Sequence, residues 1–479
     1  MSSPLYDSWL PPQRYRGFVN SKGGAGQRCV NQGRTGHSCG QPFMRRPHEG
    51  QDRMEGCLAM TSFTSDRPVS DLVIGHATAV LPNGVIDDAR VVVRSGRIAH
   101  VGPHPRGTAC DLDARGAHVL PGLVDVHSDV LSRDIRPRPG VVLDPSFAVA
   151  SAGARLRAAG ITTAFHGLAF QERSIVGRPI DSPAASELSG ALRRTDDTQV
   201  DHQVLHRLDV RCEYGLALLT KELESSESAP QDEMCALHPQ GPNDGDSCLP
   251  GGRVPVVSHE DHTPGQGQFA DPAKMQKWLV DSDRMSDDDA ADHVEWWRSS
   301  RDERLAVRDR TLSWLEGLVR AGSIRLFAHD LATPEEVSAA ADRGCSVAEF
   351  PTTVAAARAA RDHGMLIVAG APNIVRGRSH TGNVPASELA SAGLIDALAS
   401  DYIPTSMLPG ALRLVRDGIA TLPQAVRLVT SGAAACVGLD DRGSLTEGHR
   451  ADLILADLTK RWPSTLSLTR GVLIGGRPR

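Results

Sequence analysis

Residues 1–68 mix Gly, Pro, Arg, Ser and Gln without a sustained hydrophobic period of 2 or 3.6. Such a stretch buries too little apolar surface to offset its ordering entropy, so a disordered extension is expected, with Met54 or Met60 as the biological start. From Asp71 the pattern changes. DLVIGHATAVL and VIDDARVVVRSGRIAHVG are short β-branched runs divided by turn residues, which predicts small strands and hairpins. GHRADLILADL and TLSLTRGVLIGGRPR repeat that pattern at the far end. Residues 69–118 and 436–479 are therefore expected to form one small β-sandwich from both ends of the folded region.

Between them, over 119–435, apolar strand-like runs alternate with helical ones, as a parallel α/β fold requires. The strand candidates are HVLPGLVDVH, GITTAFHG, HRLDVRCE, RVPVVSHEDH, SIRLFAHD, SVAEF, MLIVAGAP and LIDALASD, eight in all, which predicts a (β/α)8 barrel of the TIM type. Helix-start chemistry supports the alternation: Thr333-Pro334-Glu335-Glu336 and Thr421-Leu422-Pro423-Gln424 both place a capping Thr before Pro and an acceptor three residues on. Two stretches interrupt it. Residues 222–253 are rich in Gly, Pro, Ser and acids and read as an irregular insertion. Residues 270–320 carry acidic clusters with Trp278, Trp296, Trp297 and Trp314 near helical spacing, either a lid over the barrel mouth or a helical insertion packing its own aromatics.

Composition narrows the class of partner. Lys+Arg of 52 against Asp+Glu of 58 gives a net charge of -6, which excludes a broad basic footprint for nucleic acid or anionic lipid. No run approaches the ~18 apolar residues of a membrane span, and the first residues lack the charged-then-apolar order of a secretory signal. The 9 cysteines contain no CxxC pair, which favours reduced thiols and a cytoplasmic location. The expected partner is a small molecule, and homo-oligomerisation stays open.

The candidate chemistry lies at strand ends. In Asp125-Val126-His127-Ser128-Asp129, alternation along an extended segment puts His127 and Asp129 on one side, where both can reach one metal. The third strand candidate ends in Glu213, the fourth in Asp261-His262, the fifth in His329-Asp330 and the eighth in Asp401. A lone histidine at a strand end is more often structural. His127, Asp129, Glu213, His262, His329 and Asp401 together are the donor types of a metal centre, gathered on the barrel face that holds active sites.

VLPGLVDVHSD and GSLTEGHRADLILAD resemble the entry and exit signatures of the amidohydrolase superfamily, in which a metal-bearing barrel is joined to a small β-sandwich. HRLDVRCE, DHTPGQGQF, VAEFPTT, GAPNIVRGRSHTGNV and ASDYIPTSML narrow the resemblance to the diphosphatases of the carbon-phosphorus lyase pathway, which act on α-D-ribose 1-methylphosphonate 5-triphosphate. It covers residues 71–479. It implies a phosphoanhydride hydrolase with divalent metal, two ions of Zn, Mn or Fe, that releases pyrophosphate from a small phosphorylated substrate. A bridging lysine is not available, because Lys22, Lys221, Lys274, Lys277 and Lys460 end no strand candidate. Glu213 is then expected to bridge, with His127, Asp129 and Asp401 on one ion and His262 and His329 on the other. Asp401 is the expected general acid and base. Arg136 and Arg138 after the first strand, and Arg376, Arg378 and His380 after the seventh, are the expected phosphate contacts. This chain has Asp209 where those proteins commonly have a second His, and His259 lies outside their pattern. The alternatives are an amidohydrolase cleaving a C–N bond and a catalytically silent barrel.

Overall fold

The structure is a computed structural model that describes residues 71–138, 140–180, 185–227, 253–379, 382–469 and 472–473. All of these fall in one compact unit, Asp66–Arg479. The expectations for 1–68 and His380, and most of that for 222–253, lie outside the described residues.

Both ends of this unit do enter one sheet. Its N-terminal strands are β1 (Leu72–Leu81), β2 (Gly84–Arg94), β3 (Arg97–Pro103), β4 (Leu112–Asp113) and β5 (His118–Pro121). The barrel strands follow: β6 (Leu123–Ser128), β7 (Ile161–Phe170), β8 (Asp201–Asp209), β9 (Val256–Glu260), β10 (Arg325–His329), β11 (Val347–Glu349), β12 (Leu366–Gly370) and β13 (Ala397–Ala399). The chain then returns to the first sheet as β14 (Leu453–Ala456), β15 (Thr465–Thr469) and β16 (Val472–Leu473). The order in that mixed sheet is β16-β15-β14-β5-β1-β2-β3, with β4 beside β1. Its apolar face buries Ile74, Val91, Val93, Ile98, Val119, Leu453 and Leu468.

The expected first barrel strand, HVLPGLVDVH, is divided between the sheets. β5 pairs with β1 and antiparallel with β14, whereas β6 pairs parallel with β7. Gly122 is the crossing point, and any side chain there would run into Thr162. The sheet-to-barrel boundary therefore falls at Gly122.

The eight parallel strands pair in sequence order from β6 to β13. The cylinder closes where Ser128 bridges Asp401 in parallel, with Asp401 N–H donating to His127 O at 2.9 Å and Asp129 N–H to Asp401 O at 2.6 Å. Side chains alternate along each strand. Leu205, Phe327, Val347 and Ala399 are packed in one apolar cluster, and two residues further on the same faces carry Arg207, His329, Glu349 and Asp401. A polar mouth thus sits directly on an apolar interior. At the opposite end, Asp201 opens β8 and takes ion pairs from Arg442 at 2.6 Å and Arg253 at 2.9 Å.

Residues 270–320 form three helices, Pro272–Asp283, Asp287–Asp302 and Leu305–Arg320. Trp297 is buried with Val176, Phe269, Met275 and Leu279, so the insertion packs its own small core, while Trp314 rests on the main one. Buried Arg301, from the second of these helices, donates to Asp209 Oδ2 at 2.5 Å and to Asp261 Oδ1 at 3.2 Å. Buried Arg211 joins Asp261 at 2.9 Å and Asp302 at 3.2 Å. Asp209 is thereby used to tether the insertion to the mouth. No helix among the described residues is long and apolar enough to cross a membrane.

Candidate active site

Glu349 is the centre of the mouth. It ends β11, is fully buried, and lies behind two imidazoles: Oε1 is 2.7 Å from His127 Nδ1 and Oε2 is 2.7 Å from His329 Nδ1. Ser258 Oγ donates to Oε2 at 2.7 Å. Burial alone would raise the Glu349 carboxyl, but His127 and His329 hold it well below the usual carboxylate range. An ionised carboxylate only accepts, so both Nδ1 atoms carry hydrogen and both Nε2 atoms are turned away from Glu349. A carboxylate behind a histidine in this way fixes the tautomer that offers Nε2 to a metal.

In front of Glu349, which itself forms a third such grouping with His127 and His329, the other donors fall into two groups. Ligand atoms of His127, Asp129 and Asp401 lie within 4.8 Å of one another, and so do those of His262, His329 and Asp330. In the first group His127 Nε2 is 3.6 Å from Asp129 Oδ1. In the second, Asp330 Oδ2 is 3.5 Å from His262 Nε2 and 3.4 Å from His329 Nε2. Asp330 and Asp401 both take left-handed backbone, with φ of 58° and 54°, and such strain in non-glycine residues concentrates at functional sites.

The electrostatics favour a cation. Asp129, Glu260, Asp330, Glu349 and Asp401 converge on the imidazoles and Arg207. Burial, and then the charge of Asp129, push Asp401 up to about 6. Burial opposes protonation of His329, yet Asp330, Glu260 and Glu349 push it up to about 9. A carboxyl raised by a neighbouring carboxylate, as Asp401 is by Asp129, beside imidazoles raised by theirs, as His127 and His329 are, makes a donor set suited to a divalent ion in place of those protons. The residues present fit metal binding.

Of the residues expected from sequence, the structure brings together His127, Asp129, His262, His329 and Asp401. Glu213 is not among them. β8 stops at Asp209, and Glu213 starts the helix Glu213–Glu227, where its side chain is 73% exposed and pairs with Arg310 at 2.7 Å. The expectation that it bridges two ions is corrected: a first-turn acid favoured by the helix dipole was read as a strand end. Glu349, Asp330, Glu260 and Arg207 were missed as a working set. The signal for Glu349 was present, since an acid stands at the last position but one of the strand candidate SVAEF, as His329 does in SIRLFAHD. His259 faces away, with Nε2 3.6 Å from Cys345 Sγ, and burial lowers it to about 4. Arg136 caps the short helix Val130–Ile135 and is half-buried, and Arg138 beyond it is exposed. Arg376 and Arg378 are exposed at the end of the helix Ala371–Arg376. These arginines stand on the connections that leave β6 and β12.

Comparison with known proteins accords with this architecture. Residues 269–479 match the Amidohydrolase family. The chain is 36% identical over 391 residues to the α-D-ribose 1-methylphosphonate 5-triphosphate diphosphatase of Escherichia coli, covering 80% of this chain and 95% of that one. It is 25% identical over 397 residues to the imidazolonepropionase of Streptomyces griseus, covering 81% of this chain and 90% of that one. In fold it resembles the N-acetyl-D-glucosamine-6-phosphate deacetylase of Mycobacterium smegmatis, with a TM-score of 0.52 at 17% identity over 84% of this chain and 100% of the other. With a parallel eight-stranded barrel, a mixed sheet from both ends and a relative this similar over most of its length, the chain belongs to the amidohydrolase family.

Proposed function

We propose that this protein is a metal-dependent phosphoanhydride hydrolase that cleaves α-D-ribose 1-methylphosphonate 5-triphosphate to the 5-phosphate and pyrophosphate, in the cytoplasm. The observation that carries the reading is the 36% identity to a diphosphatase of that substrate over 80% of the chain, together with an intact donor cluster at the barrel mouth. His127, Asp129 and Asp401 would hold one ion, and His262, His329 and Asp330 a second; Zn, Mn and Fe all suit such donors. When bound, divalent ions lower the pKa of water toward ~7 and neutralise charge on phosphoryl oxygens.

The chain's own groups do the rest. Glu349 keeps both Nε2 atoms aimed into the mouth. Asp401, beside the donors of the first group, accepts the proton of the attacking water and returns it to the departing phosphate oxygen. The insertion, tethered by Arg211 and Arg301, forms part of the wall beside His262. Arg136, Arg138, Arg376, Arg378 and His380 are proposed as contacts to the outer phosphates.

The test is a pyrophosphate assay on metal-analysed protein, with the ribosyl phosphonate triphosphate as substrate and ATP as control. Release from the first and not the second supports the reading, and no release from either ends it. The second reading is hydrolysis of a C–N bond, supported by the likeness to imidazolonepropionases. It predicts turnover of an amide-type substrate with no pyrophosphate formed.

A further inference from the structure

Arg207 occupies a position that neither metal group uses. Its Nη1 donates to Asp129 Oδ1 at 2.9 Å and Oδ2 at 3.2 Å, and its Nε donates to Glu260 Oε1. Asp129 belongs to the first donor group, and Glu260 Oε2 lies 3.7 Å from His262 Nδ1 of the second. The guanidinium therefore spans the floor between the two groups. It is clamped on two edges, and its Nη2 has no acceptor among the described residues. Its side chain keeps 17% of its surface open, whereas Arg211 and Arg301, which tether the insertion, keep 0% and 2%. Space is reserved for the clamp. A Cβ on Gly167 would come within 2.7 Å of Asp129 Oδ1 and 2.9 Å of Arg207 Cδ.

We propose that Arg207 is a phosphoryl-binding residue, its open Nη2 edge donating to non-bridging oxygens of the phosphate group that lies between the two donor groups. A mouth lined by carboxylates repels a polyphosphate, and a cation already fixed by Asp129 and Glu260 offsets that repulsion without reorganising during the reaction. The planar fork also suits the geometry of phosphate oxygens. The inference rests on the phosphoanhydride reading, but it specifies a binding contact that is measurable without turnover.

The experiment uses the full chain at saturating Mn2+, with inorganic pyrophosphate as the probe by calorimetry and as a competitive inhibitor. Metal content and thermal melting are measured in parallel. Arg207→Lys keeps the charge and loses the fork. The double variant Arg207→Met with Glu260→Met removes the cation together with its deeply buried carboxylate partner, and Asp129, the other partner, keeps the Mn2+ of its donor group as counter-charge. The expected result is a dissociation constant for pyrophosphate raised tenfold or more in both variants while metal content holds, with partial recovery of the double variant on adding guanidinium. A structural ion pair would lower melting and leave pyrophosphate affinity within twofold, and that result overturns the proposal. Pyrophosphate binding that depends on Arg207, in a protein inert toward the ribosyl triphosphate, would refute the substrate reading alone. Turnover of that substrate with pyrophosphate binding indifferent to Arg207 would refute this inference alone.

Discussion

Replacing Glu349 by Gln changes the shape of the site by almost nothing and its proton inventory decisively. The carboxylate takes three hydrogen bonds at 2.7 Å, from His127 Nδ1, His329 Nδ1 and Ser258 Oγ, in a fully buried position. A glutamine in the same place can accept on one side only, and its amide nitrogen must donate on the other. Whichever imidazole faces that nitrogen has to turn Nδ1 into an acceptor, which moves its hydrogen to Nε2 and removes a lone pair from one donor group. Loss of a buttress of this kind typically costs ~10–100-fold in metal affinity, equivalent to about 1.4–2.8 kcal/mol. Chelator competition on dialysed protein, with Zn2+ and Mn2+ titrated separately, reads this directly. The expected result is one weakened ion and one near-native ion. Two unchanged affinities would refute the orienting role. A loss far beyond ~100-fold would refute it in the other direction, marking Glu349 as itself a ligand with His127 and His329, a grouping its oxygen also permits.

Asp401→Asn should reduce kcat by ~10²–10⁴ while the ion on His262, His329 and Asp330 is retained, and a rate near native at full metal occupancy would contradict the acid and base role. Arg301→Met should lower unfolding free energy by about 3–5 kcal/mol in a denaturant titration, because it leaves Asp209 and Asp261 facing each other without that charge. Glu213→Ala, by contrast, should stay within ~0.5 kcal/mol and leave pyrophosphate release unchanged. At the barrel floor, burial would raise the Asp201 carboxyl but Arg253, Arg442 and Arg450 hold it well below the usual range. A depressed folded-state value contributes stability that is complete above the unfolded value near ~3.9 and is lost as pH falls through the folded one. Acid unfolding followed below about pH 4 should therefore be steeper in the native chain than in Asp201→Asn.

The parts of the site that could be read from sequence are those set by alternation within a single strand. His127 and Asp129 share a face because they are two residues apart, and His329 and Asp401 stand out as polar ends of apolar runs. What could not be read depends on register between strands and on where a strand stops. In HRLDVRCE the apolar alternation continues past Asp209 through Val210, and only the three-dimensional start of a helix at Glu213 shows that the strand has already ended. The roles of Arg207 and Glu260 arise from a side-chain pair 53 positions apart, which no local pattern encodes. The fold was more legible than the site because strand and helix periods repeat along the whole chain. Even so, the division of HVLPGLVDVH at Gly122 required knowing that β5 has β14 as a neighbour.

The backbone bonds between Asp401 and the His127-to-Asp129 stretch lie on the seam where the last strand meets the first. One donor group therefore comes into being only when the cylinder is fully zipped, and a chain lacking its final strand has no half-strength version of it. An ion held there would act as a rivet across the join, so metal loading would also raise kinetic resistance to unzipping.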